Sequence, residues 1–323
     1  MEGIFTISLD YELHWGVFDK RDRDQRKQCY LNTKKLVPEL LQIFDKHDVH
    51  VTWATVGALF AKNAEEWQRL KPVVEPDYIH ERYSAYNWVQ ENGLPSEKNW
   101  AHFSPDEVKM IQQYDGQELA THTFGHYYCM EPNDNPQAFA ADLDAANKAA
   151  EPFNAPMVSM VFPRNQFNDA YLKICYDKGI RTVRSNPDNW FWTPVADGSS
   201  GLMRKVFRTG DGYMSMGKRT SYGLSTIKKA QGEPLQLPAS RLLRSWSPKY
   251  QFTNTLRLKR ILNEMRGAAK NGECYHLWWH PENFGDHPQQ NMADLKVILD
   301  EYTRLKSKYG MRSWNMGEYI KFV

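Results

Sequence analysis

The chain has 323 residues, 41% of them hydrophobic and 13% aromatic, which is enough to bury one large α/β core. Its 41 Lys and Arg against 39 Asp and Glu leave a formal charge of +2, too little to draw in nucleic acid or an anionic membrane. The 4 cysteines, Cys29, Cys129, Cys175 and Cys274, form no Cys-x-x-Cys pair, which argues against a thiolate zinc site and a disulfide scaffold.

Short β-rich runs alternate with helical patterns along the chain, the signature of βαβ units around a parallel sheet. Strands are predicted at residues 3–9, 50–56, 117–121, 157–162, 180–184, 273–279 and 311–314. Between them, residues 32–47 place Leu36, Leu40, Leu41 and Phe44 on one helical face, and 255–270 do the same with Leu258, Ile261, Leu262 and Met265. Helices also fit 136–150, 168–178 and 289–307, and Ser104-Pro105-Asp106-Glu107 reads as a capping box with proline at the first helical position. Two long stretches, 62–103 and 193–250, interrupt the rhythm and are expected as insertions at the catalytic face of one domain spanning 1–323. The sequence enters its first strand at once, without a basic segment or a signal-length apolar stretch, and nowhere holds an apolar run of about 18 residues. A cytoplasmic protein with reduced thiols and no membrane span is the expectation.

Two polar segments sit at strand ends, where α/β folds place their chemistry: Ser8-Leu9-Asp10-Tyr11-Glu12 and Thr121-His122-Thr123-Phe124-Gly125-His126. Two histidines four apart on a helical turn can bind one metal ion from the same face, and a carboxylate can complete the set. A His-x-x-x-His pair alone carries little weight, because it arises by chance. Aromatic residues crowd these motifs. Large rings commonly fill a core, but sugars stack on exposed ones, and Trp15, Tyr127, Trp190 and Trp279 are candidate substrate-binding residues.

Taken in order, Asp10-Tyr11-Glu12, His122-Thr123-x-x-His126, Phe162-Pro163-Arg164, Pro187-Asp188-Asn189-Trp190 and Leu277-Trp278-Trp279-His280-Pro281 resemble the polysaccharide deacetylase family, with its NodB-type homology domain (carbohydrate esterase family four). The resemblance implies a distorted, TIM-like (β/α)7 barrel that removes acetyl groups with one divalent metal. By the same resemblance, Asp10 matches the catalytic base and His122 and His126 the metal ligands. His280 matches the general acid, and Arg164 the arginine that positions the base; Asp188 with Trp190 matches the fourth motif. The family's first motif has adjacent aspartates, whereas this chain has Asp10-Tyr11-Glu12. The third ligand is assigned to Glu12, because alternate strand residues project to one side, with Asp10 as metal ligand the competing assignment. His276 is read as structural.

The function expected is metal-dependent hydrolysis of an N-acetyl or O-acetyl group on a sugar or polysaccharide precursor. Two readings compete: an amidohydrolase for a non-sugar or cyclic C–N bond, and a catalytically silent carbohydrate-binding barrel. The ligand set suits Zn²⁺, with Fe²⁺, Co²⁺ or Ni²⁺ as alternatives. Partners are a small-molecule or oligosaccharide substrate and no nucleic acid, and homo-oligomers are left open.

Overall fold

The computed structural model describes residues 2–321 apart from 132, 134 and 197–200, the last lying in the second expected insertion. Nine strands are described: β1 (Ile4–Tyr11), β2 (Val51–Thr55), β3 (Gln117–Thr121), β4 (Ser159–Val161), β5 (Thr182–Ser185), β6 (Leu235–Pro238), β7 (Arg241–Leu242), β8 (Cys274–Trp279) and β9 (Arg312–Ser313). The helices are α1 (Lys27–Lys46), α2 (Ala64–Leu70), α3 (Ala85–Asn92), α4 (Asn99–His102), α5 (Pro105–Ile111), α6 (Pro136–Ala150), α7 (Asp169–Asp177), α8 (Leu202–Gly210), α9 (Gln251–Asn271) and α10 (Pro288–Tyr309).

All strand pairs are parallel, in the order β6-β5-β4-β3-β2-β1-β8-β7, and β9 adds to the start of β1. The sheet curls until its two edges meet through the chain itself. Pro238 still pairs with Ser185 of β5, the Ala239 amide donates to the Ser185 carbonyl, and one residue later the Ser240 amide donates to His276 of β8. β6 and β7 thus form one broken stave between β5 and β8, and together with β1 to β5 and β8 it makes the seven staves of a (β/α)7 barrel. The seventh stave therefore comes from 235–242, inside the expected insertion, and not from 311–314. β9 covers only Ile4 and Phe5. Its sequence signal was real, but two residues of pairing make an accessory strand.

Burial separates two cores. Along β1, Phe5, Ile7, Leu9 and Tyr11 belong to the large cluster shared with the helices, where Phe5 meets Tyr302 of α10 and Tyr11 meets Trp53. Thr6, Ser8 and Asp10 take the other face, as a period of two requires. Thr6 bonds Tyr319, and Ser8 and Asp10 bond Arg184. Because both faces are covered, β1 is buried throughout, as parallel strands usually are.

α6 has the predicted bounds, and Asn168 caps α7 by accepting the Tyr171 amide. The capping box at Ser104 takes another form: its hydroxyl donates to the Glu107 carboxylate at 2.6 Å and meets the Tyr11 hydroxyl at 2.5 Å, tying α5 to β1. The 62–103 stretch holds α2, α3 and α4. No helix among the described residues is long and apolar enough to cross a membrane.

Two buried histidines make stability pH-dependent. Burial and then the Arg184 charge lower His276 to about 3, and burial and then the Arg23 charge lower His14 to about 4. Both rings are neutral when folded and bind a proton on unfolding once the pH is below about 6.5. Stability therefore falls as pH drops from about 6.5 toward 4, at about 1.4 kcal/mol per pH unit for each ring. Urea titrations between pH 7 and 4.5 check this: His276→Asn should flatten the slope by that share, and an unchanged slope would refute a neutral buried His276.

Candidate functional site

β1 delivers two carboxylates to the C-terminal end of the barrel. Asp10 is the last inward-facing strand residue. Glu12 follows the strand end, where Leu13 takes a left-handed conformation at φ 48° and the chain turns into a short 3₁₀ segment, Leu13–Gly16. That turn is held by Glu282, whose Oε1 accepts the amides of Glu12 and Leu13 at 2.9 and 2.6 Å. Gly16 is required by close approach: a Cβ there would lie 1.6 Å from Glu12 Oε2.

His122 and His126 are not on a helical turn. They sit on an irregular loop after β3, with Thr123 and His126 at φ 63° and 57°. Strain of this kind persists only where surroundings impose it, and here they do. Asp142 of α6 accepts the Phe124 and Gly125 amides and the Tyr86 hydroxyl, and the Gly57 and Ala58 amides donate to the loop's carbonyls. The fold thus replaces helical spacing with a clamped loop, and the two rings still converge, their centroids 5.2 Å apart.

At the centre, Glu12 Oε1 lies 2.9 Å from His122 Nε2, 3.3 Å from His126 Nε2 and 3.6 Å from His280 Nε2. Burial would raise the Glu12 carboxyl, but the surrounding imidazoles of His280, His126 and His122 outweigh it and hold it well below the usual range. Burial lowers His126, against the pull of Glu12. His122 Nδ1 donates to the Val161 carbonyl at 2.7 Å, which leaves a lone pair on Nε2 facing the carboxylate. Two acceptors at 2.9 Å call for a cation or a second ring proton between them. Ligand atoms of Glu12, His122 and His126 lie within 4.8 Å of one another, as do those of Asp10, Glu12 and His280. Imidazole and carboxylate donors at such spacing fit a divalent transition metal.

Asp10 is held differently from the sequence-based expectation. Its partner is Arg184 of β5, which reaches across the barrel and binds both carboxylate oxygens at 2.6 Å. Ser8 and Asn165 Oδ1 accept the remaining guanidinium hydrogens, and Trp278 lies 4.1 Å over the group. Arg164 is turned away. It pairs with Asp19 at 2.6 Å and stacks 3.8 Å over Tyr128, whose ring meets His126 edge-on. Arg164 and Asn165 are consecutive left-handed residues, at φ 56° and 52°. That reversal of the chain swings Arg164 outward and turns Asn165 toward Arg184.

His280 follows β8, its side chain 29% exposed and its Nε2 3.7 Å from Asp10. The Asn283 amide donates to His280 Nδ1 at 3.3 Å, so Nε2 carries the ring proton and aims it between the two carboxylates. His276 lies deeper, bonded to Ser8.

The remaining expected site residues are elsewhere. Asp188 is fully solvated and paired with Lys218, and with Trp190 it lines an open groove that none of Asp10, Glu12, His122, His126 or His280 touches. Trp15, Tyr127 and Trp279 are buried: Trp15 donates to the His102 carbonyl and stacks on Trp67, Tyr127 packs on Phe139, and Trp279 on Phe284. No sugar can reach them. Two largely buried aromatic rings border the site: Trp278, 5.6 Å from His280, and Tyr128, edge-on to His126. Arg184 and Glu282 were the residues missed, although a charged side chain ending a predicted buried strand was a usable signal for Arg184.

Removing Arg184 should leave the Asp10 charge buried and unpaired, at a cost of roughly 3–5 kcal/mol. In denaturant titrations Arg184→Met should be strongly destabilised, and adding Asp10→Asn, which removes the stranded charge, should restore much of the loss. An undiminished loss in the double variant would refute the assignment of the clamp to Arg184.

The polysaccharide deacetylase family model matches residues 18–183, just over half of the chain, including His122 and His126. No curated protein sequence matches. Among solved structures, a protein assigned as a polysaccharide deacetylase from Mycobacterium smegmatis aligns at TM-score 0.61 and 14% identity, over 99% of this chain and 89% of that one. A protein assigned likewise from Pseudomonas aeruginosa PAO1 aligns at 0.55 and 12% identity, over 98% and 89%. Puue allantoinase aligns at 0.57 and 9% identity, over 98% and 89%. Identities this low show the shared fold alone, and it is the family match that places the chain: it belongs to the polysaccharide deacetylase family, hydrolases that act on C–N bonds of acetylated sugars.

Proposed function

We propose that the protein is a metal-dependent deacetylase that hydrolyses an N-acetyl or O-acetyl group of a sugar or polysaccharide precursor. The whole chain acts in this reading as one barrel domain, with Glu12, His122 and His126 as the residues that would hold a divalent transition metal, Zn²⁺ fitting best. The observation that carries it is the pair of facing acceptors, His122 Nε2 and Glu12 Oε1, fixed at 2.9 Å by the Val161 carbonyl behind the ring. Asp10 is less suited as a ligand, because Arg184 already neutralises it through both oxygens.

When bound, such an ion polarises the acyl carbonyl and lowers the pKa of water. The chain's own groups do the proton work. Asp10 is the base: each oxygen keeps a free lone-pair direction beyond its bond to Arg184, and the guanidinium fork fixes the carboxylate plane. His280 is the acid, its Nε2 proton aimed into the site and its side chain open enough to meet a leaving amine. All the described cysteines are free and buried, which supports a reducing, cytoplasmic setting.

Elemental analysis of the purified protein should find roughly one equivalent of transition metal. Glu12→Ala and the His122→Ala/His126→Ala double variant should lose it, while Asp10→Asn should keep it and lose at least about 100-fold in acetate release. Retained metal in Glu12→Ala would overturn the ligand set. No acetate from any N- or O-acetylated sugar with metal-loaded protein would overturn the function. Gly16→Ala should weaken metal binding without touching a ligand, because its Cβ displaces the Glu12 carboxylate; titration with a competing chelator reads this.

A further inference from the structure

Beside the proposed catalytic groups lies a basic recess. Trp278 and Asn165, which flank Arg184, form its inner wall, and a narrow cleft of about 20 Å³ opens from them toward Arg208, Arg241 and Arg244. It joins a wider recess of about 140 Å³ that shares Asn165 and Arg208 and extends to Arg164. Among the described residues, no Asp or Glu lines either one.

Two of these arginines are neutralised nearby: Arg164 by Asp19, and Arg241 by Asp211 and Glu264. The other two have no carboxylate partner among the described residues. Arg208 donates to the carbonyls of Phe191 and Thr193, and Arg244 to the carbonyl of Arg208 itself, at 3.2 Å. Both are partly buried, and Arg208 lies 5.4 Å over Trp192. Burial and then the charge of Arg204 push Arg208 below its ordinary value. Guanidinium groups that are partly desolvated and lack a counter-ion are costly, and an oxyanion beside them in the cleft would remove that cost. The guanidinium fork suits phosphate and carboxylate oxygens alike.

We propose that this cleft binds an anionic substituent of the sugar whose acyl group is removed, so that the substrate is a charged amino sugar and not a neutral polymer. The anion is a phosphoryl group or a uronate carboxylate, two sources of one oxyanion chemistry. The inference rests on the deacetylase reading, with Trp278 as the wall common to the acyl site and the anion cleft.

The test compares N-acetylglucosamine 1-phosphate, N-acetylglucosaminuronic acid and neutral methyl N-acetylglucosaminide, by calorimetric binding and by acetate release from the metal-loaded full chain. At least one charged sugar should bind about ten-fold or more tighter than the neutral one. A gain for the phosphate alone identifies a glycosyl phosphate, and a gain for the uronate alone a carboxylate. Arg208→Gln/Arg244→Gln, or Arg244→Gln alone if the pair unfolds, should lose most of that preference, chiefly in KM. Lys205→Gln/Lys218→Gln, which removes equal charge from exposed positions, should retain it. Equal binding of all three sugars, or a preference that survives in the arginine variants, overturns the proposal. Acetate released equally from charged and neutral sugars overturns it while keeping the deacetylase reading. A preference in binding with no acetate from any of them keeps the cleft and overturns the deacetylase reading.

Discussion

Two carboxylates at the end of one buried strand cannot both stay charged without help, and the barrel end is organised around that constraint. Coulomb repulsion and lost hydration would force protons onto Asp10 and Glu12 unless cations face them. The fold supplies two different answers. Asp10 meets a permanent guanidinium, Arg184, brought from the opposite side of the barrel, whereas Glu12 meets imidazoles, which can share it with a metal. Carboxylates only two residues apart thereby acquire different surroundings, one fixed by a guanidinium fork and the other faced by imidazoles.

Strain and close packing collect where those answers are built. Leu13, Thr123, His126, Arg164 and Asn165 all take left-handed backbone, and each lies in a segment that carries a site group. Such conformations cost roughly 1–3 kcal/mol each and survive because rigid neighbours impose them. Asp142 does so for the histidine loop and Glu282 for the turn after β1, and both are buried acids that accept main-chain amides. Burial pushes Asp142 up to about 6, and burial together with the charge of Glu12 pushes Glu282 up to about 8. These acids act as struts more than as charges.

The hydrophobic pattern made most of the barrel legible. β1 to β5 and β8, and the helices between them, follow the periodicity of their residues, because burial on one or both faces leaves a local trace. Asp10, Glu12, His122, His126 and His280 stood out for a similar reason: polar residues that end apolar strands are conspicuous. The broken stave at 235–242 did not stand out. Its few paired residues flank Ala239 and Ser240, and its role is to close a sheet whose edges are distant in sequence. Trp15, Tyr127 and Trp279 looked like sugar platforms beside the motifs, but adjacency in sequence does not say which face of an element a ring takes.

The sequence by itself determined the alternation of strands and helices, the two acidic positions and the paired histidines, because these depend on neighbours within a few residues. Tertiary structure alone decided which arginine holds Asp10. Arg164 follows β4 and Arg184 lies within β5; the left-handed pair at 164–165 turns the first outward, while β5 presents the second to the interior. It likewise decided that Glu12 meets both histidines, since the strained loop after β3 draws its shape from α6 and residues 57–58. Contacts across more than 100 residues of chain set both outcomes, and no local pattern encodes them.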